Sequence, residues 1–89
     1  MQYGKLLMDA FYAEAVAFRA RKEYEQAFVM DNMENAVNNV MHGRPAHEIR
    51  ERAVTHIHSI LGDGRIELSE VERETYAYAL DVIDSVQLP

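Results

Sequence analysis

From Tyr3 to Met41 the chain has no proline and no glycine after Gly4, and apolar side chains recur at helical spacing as Tyr3, Leu6, Ala10, Ala13, Ala17, Ala20, Tyr24 and Ala27. This pattern predicts one long N-terminal helix. Leu7, Phe11, Phe18 and Phe28 flank the stripe and widen it beyond what one partner helix of the same chain can cover. After Ala27 the apolar positions move to Met30, Met33, Val37 and Val40, one position out of phase, which predicts a break or kink near Asp31. Asp31-Asn32-Met33-Glu34 has the spacing of a capping box, with Asp in place of Ser or Thr.

Gly43 suits the left-handed position that ends a helix, and Pro45 suits the first turn of the next. A helix over 45–61 follows, with Ile49, Ala53, Ile57 and Ile60 on one side and Val54 and Leu61 at its edge. Gly62-Asp63-Gly64 then predicts a turn. Ser69-Glu70-Val71-Glu72 is a full capping box, because the Ser hydroxyl and the Glu carboxylate can each satisfy a backbone amide at the helix start. The last helix is expected over 70–86, burying Val71, Thr75, Tyr78, Ala79, Val82 and Val86, with Leu80 and Ile83 beside them. No repeat, low-complexity tract or strand-like alternation is present. The expected fold is all-α: one domain over 1–89, with a long first helix and two shorter ones in a small bundle.

A chain of 89 residues buries only about 60 to 65% of its unfolded surface, so self-association is a common remedy for its small core. Apolar residues make up 48%, too many for a disordered chain. Without cysteine there is no disulfide framework, thiolate zinc site or Cys nucleophile. Asp9 and Glu14 interrupt the first apolar stretch, so neither a signal peptide nor a membrane span is readable, and a cytoplasmic location is expected. The net charge of −6 is uneven: −2 over residues 1–42, +1 over 43–61 and −5 over 62–89. No basic face for displacing counterions from phosphate is visible, which argues against direct nucleic-acid binding.

Candidate chemistry is sparse. His56 and His58 lie roughly 200° apart around one helix and cannot share a metal without help. His42 and His47 straddle Gly43 with no acidic partner at zinc-like spacing. His56 is expected to edge the core while the other three are solvated. The segment from Ser59 to Glu70 resembles a calcium-binding EF-hand loop, with Asp63-Gly64-Arg65-Ile66 at positions five to eight, yet Ser59 and Leu61 stand where calcium needs charged oxygen donors. A glycine turn before a capped helix accounts for the same residues. Arg19, Arg21 and Lys22 form the one basic cluster, with Glu23 and Glu25 four residues after the two arginines, the spacing of intrahelical ion pairs. Glu70, Glu74, Asp81 and Asp84 fall along one side of the last helix, with Glu67 just before it. That line is either a solvated face or an acidic ridge that docks on a basic surface. No nucleophile, base and orienting group form a recognisable motif, no glycine loop cradles phosphate, and neither catalysis nor a cofactor or metal is expected.

Ala36-Val37-Asn38-Asn39-Val40-Met41, Ile57-His58-Ser59-Ile60 and Val71-Glu72-Arg73-Glu74-Thr75 resemble the corresponding stretches of the YmgB/AriR-type bacterial regulators of biofilm formation and acid resistance. The similarity runs without gaps over roughly residues 34–84. It implies a helical fold like that of the Hha-type regulators, a homodimer, and a connector role in signalling or transcription, with no catalytic site to carry over. The chain departs from that group in a longer first helix richer in Phe, Tyr and Ala, and in Glu51 and Arg52 at apolar positions of the family.

The leading expectation is a small acidic regulator or adaptor that binds another protein. Its first helices would pair in a homodimer through Leu7, Phe11, Phe18 and Phe28, and the ridge of Glu67, Glu70, Glu74, Asp81 and Asp84 would meet the partner. The rival is a phage or mobile-element inhibitor whose acidic surface occupies a nucleic-acid-binding groove. A calcium-responsive module is a third, lesser reading.

Overall fold

The computed structural model describes residues 2–89, and they form four helices and no strand: α1 (Tyr3–Ala20), α2 (Tyr24–Val40), α3 (Ala46–Gly62) and α4 (Glu70–Ser85). The expected long first helix is two helices, and the break lies at residues 21–23 rather than near Asp31, which sits inside α2 and caps nothing. The local geometry explains why. Lys22 N–H donates to the Arg19 carbonyl (2.9 Å) and Glu23 N–H to the Phe18 carbonyl (2.9 Å), the paired bonds of a Schellman turn. Lys22 takes the left-handed position at φ 61°, where glycine is usual. The chain then folds back, and α1 and α2 pack as a hairpin.

The inward side of α1 is Tyr3, Gly4, Leu7, Phe11 and Ala15, not the alanine-rich stripe; Leu6 and Ala13 are exposed. The larger side chains win because burying a Leu or Phe gains about 1.5–3 kcal/mol, several times what an Ala offers. Continuing that stripe as one helix would carry Lys22 and Gln26 into the core, which the turn avoids. At Gly4, an added Cβ would lie 2.8 Å from the Met41 Cβ, so the glycine permits close contact between the start of α1 and the end of α2.

α2 contributes Ala27, Val29, Met30, Met33 and Val37 to the core and packs against all three other helices. α3 starts after Pro45 in extended conformation and buries Ile49, Ala53 and Ile57, as its pattern predicts. Gly43 adopts φ 73° in the connection before it. α4 opens with the predicted capping box: Ser69 Oγ accepts from Glu72 N–H (3.0 Å) and Glu72 Oε1 accepts from Ser69 N–H (2.9 Å). Its buried side is Thr75, Tyr76, Ala79, Val82 and Ile83, so Tyr76 takes the place expected for Tyr78, and Val71 lies at the surface. Phe11, Leu7, Met30, Met33, Ile57, Ile83 and Val37 are the largest fully enclosed side chains. The Cα extents of 33 × 31 × 19 Å correspond to a bundle two helices thick, given axis spacings of about 8–10 Å. Among the described residues no helix is long and apolar enough to cross a membrane.

Candidate functional site

The residues expected to pair two copies divide into three environments. Leu7 and Phe11 are completely buried within one chain and cannot meet a second copy in the folded state. Phe18 is half-buried, its ring edge-on to Tyr78 (6.3 Å, 89°) with the Arg21 guanidinium 4.9 Å above it. Phe28 alone among the four is free, at 74% exposure. The expectation failed for Leu7 and Phe11 because the hairpin supplies the cover that a straight first helix would have lacked.

A different apolar surface appears instead. Tyr12 (58% exposed) and Val16 (48%) project from α1, and Tyr24 (62%) and Phe28 from α2. Helical spacing puts Tyr12, Val16 and Arg19 along one side of α1, and Tyr24, Phe28 and Asp31 along one side of α2. The Arg19–Asp31 ion pair joins those two sides, so the four apolar groups share the outer side of the hairpin. The basic cluster is therefore not balanced within one helix. Arg19 bonds Asp31 across the hairpin, Arg21 meets Glu23 in the turn (3.1 Å), and Glu25 accepts from the Ser69 hydroxyl of α4.

On α4, Glu70, Glu74, Asp81 and Asp84 all face solvent, and Glu67 is exposed in the preceding loop. Asp84 is taken by Arg50 of α3 at 2.6 Å. Among the described residues Glu67, Glu70, Glu74 and Asp81 have no basic partner within ion-pair distance. α1 extends the negative edge: Glu14 and Asp81 line a cleft of about 220 Å³ with Ala10, Tyr78, Val82 and Ser85. Tyr78 donates to the Glu14 carboxylate, and this bond, with burial and the charges of Glu14 and Asp81, raises the phenol pKa.

The histidines do not assemble a site. His42, His47 and His58 are exposed. His56 is half-buried, its Nε2 3.0 Å from Asn32 Oδ1, which also accepts from the Tyr76 hydroxyl at 3.0 Å. His56 does edge the core as expected, but its junction with Asn32 of α2 and Tyr76 of α4 has no signal in the sequence pattern. His47 and His56 line an open cleft of about 570 Å³ with Glu48, Glu51, Arg52 and Thr55, in which Arg44 and Arg52 engage Glu48. In the calcium-like segment, Ser59 and Leu61 belong to α3, and Asp63 is closed off by Arg65 through backbone and guanidinium bonds of 2.9–3.1 Å, which hold its carboxyl below the usual range. Among the described residues no three His, Asp or Glu side chains are placed to hold a metal. No family model, curated protein or solved structure matches the chain, which leaves its own geometry as the guide to function.

Proposed function

We propose that this chain is a small regulatory or adaptor protein that acts by binding another protein, with the acidic edge of α4 as its contact. The observation that carries the reading is the run of exposed carboxylates at Glu67, in the loop before α4, and at Glu70, Glu74 and Asp81 along that capped helix, none of them in an ion pair among the described residues. A basic partner surface gains attraction along the whole edge, and approach is steered at long range. The resemblance of residues 34–84 to YmgB/AriR-type regulators supports a connector role in signalling or transcription.

The test combines affinity capture, identification of the partner by mass spectrometry, and titration of the purified partner in rising salt. Replacing Glu67, Glu70 and Glu74 by Gln and Asp81 by Asn should weaken binding at least tenfold and flatten its salt dependence. Unchanged affinity after all four substitutions rejects the proposal. A partner that binds DNA and is displaced from it by this chain points to the inhibitor reading; one that binds both together supports the connector.

A further inference from the structure

The outer side of the α1–α2 hairpin holds large apolar groups that the bundle leaves uncovered, and its charge differs from the rest of the chain. Lys5 pairs with Asp9 at 2.8 Å, and Arg19 pairs with Asp31. With Tyr12, Val16, Tyr24 and Phe28 between and beside these pairs, and Glu34 of α2 also near enough to act on Lys5, the face carries two matched ion pairs and little excess charge in a chain of net charge −6. Two such chains repel in most orientations. They approach at least cost when these weakly charged faces meet and their acidic edges stay apart.

We propose that the outer hairpin face, built on Tyr12, Val16, Tyr24 and Phe28, is the self-association surface, and that its occupant is the same face of a second copy. A basic partner gains little net attraction there, and an acidic one is opposed by the rest of the molecule. A copy brings an equally weakly charged, equally apolar surface. An isologous two-fold contact also satisfies both copies at once and closes at the dimer. Helices of 18 residues are about 27 Å long, and a hairpin about 20 Å wide offers roughly 500 Å² a side, near the roughly 1,000 Å² total of a specific interface. Exposed aromatics are the residue type that anchors such contacts. The acidic edge on α4 remains available to a different partner.

Sedimentation equilibrium and light scattering test this directly on the full chain. The expected result is a reversible dimer at micromolar concentration that tightens with added salt as the mutual repulsion is screened, opposite in sign to binding at the acidic edge. Phe28→Glu and Val16→Glu should each give monomers with unchanged far-ultraviolet circular dichroism. Because the chain lacks cysteine, a single Val16→Cys or Phe28→Cys offers a second readout: oxidation should link copies at these positions and not at Glu74→Cys. The charge-neutralised α4 variant should stay dimeric, which separates failure here from failure of the partner contact. A monomer at hundreds of micromolar, or a dimer that survives both glutamate substitutions, overturns the proposal.

Discussion

His56 Nε2 lies 3.0 Å from Asn32 Oδ1, so a side chain of α3 is tied to the centre of α2 through an oxygen that also accepts from the Tyr76 hydroxyl of α4. One amide oxygen thus joins three helices. Burial disfavours the charged imidazole and lowers the His56 pKa below its ordinary 6.5. The unfolded chain therefore takes up a proton first as pH falls. The stability His56 contributes is fully present above pH 6.5 and is lost as pH drops from there toward the lower folded-state value. Urea midpoints measured across this window should fall, and His56→Gln should reduce the slope relative to the unmodified chain. Equal slopes would show that His56 is not responsible.

The same junction sets a second expectation. Asn32→Leu strands the Tyr76 hydroxyl and the His56 nitrogen away from a partner, at about 1–3 kcal/mol, whereas Tyr76→Phe removes one donor and costs about 0.5–1.5 kcal/mol. Chemical denaturation of both variants checks the order. If Tyr76→Phe were the more damaging, the shared oxygen would not be the organising atom.

Phe11 and Phe28 look alike in sequence and should respond oppositely to truncation. Phe11→Ala empties the centre of the core at about 3–5 kcal/mol, enough to unfold much of a small domain. Phe28→Ala should change the stability of the isolated chain by no more than about 0.5 kcal/mol. Thermal melts at a low protein concentration separate the two, because any dimer is dissociated there.

The turn between α1 and α2 carries avoidable strain. Lys22 holds the left-handed conformation that costs an L-residue roughly 1–2 kcal/mol, and Lys22→Gly removes that cost while loosening the unfolded chain. A net gain of about 0.5–1 kcal/mol is expected, and Lys22→Val should lose at least about 1 kcal/mol. A loss with glycine would mean that the lysine side chain holds the turn.

At the start of α4, Ser69→Ala breaks the capping box and the bond to Glu25 of α2 together. The expected cost is about 0.5–2 kcal/mol. Hydrogen exchange should speed up first at the Glu72 amide, and protection that stays unchanged there would show that the cap is not holding the helix end.

The sequence alone determined that the chain is helical, where α3 and α4 begin, the left-handed glycine at 43 and the capping box at Ser69, because each of these is encoded within a few consecutive residues or one short period. It also placed the acidic line of Glu70, Glu74, Asp81 and Asp84 on one outward side of α4, since helical phase is a local property. The tertiary structure decided the rest. Two apolar stripes overlap on the first 20 residues, and only the neighbouring helices select Leu7 and Phe11 over the alanines. The hairpin turn carries lysine where the usual signal is glycine, so its bonds reveal it and its letters do not. Asn32, His56 and Tyr76 are 24 and 44 residues apart and meet because three helices cross at one point. Whether an aromatic side chain lies inside or outside depends on what packs beside it, and that is a property of the assembled bundle.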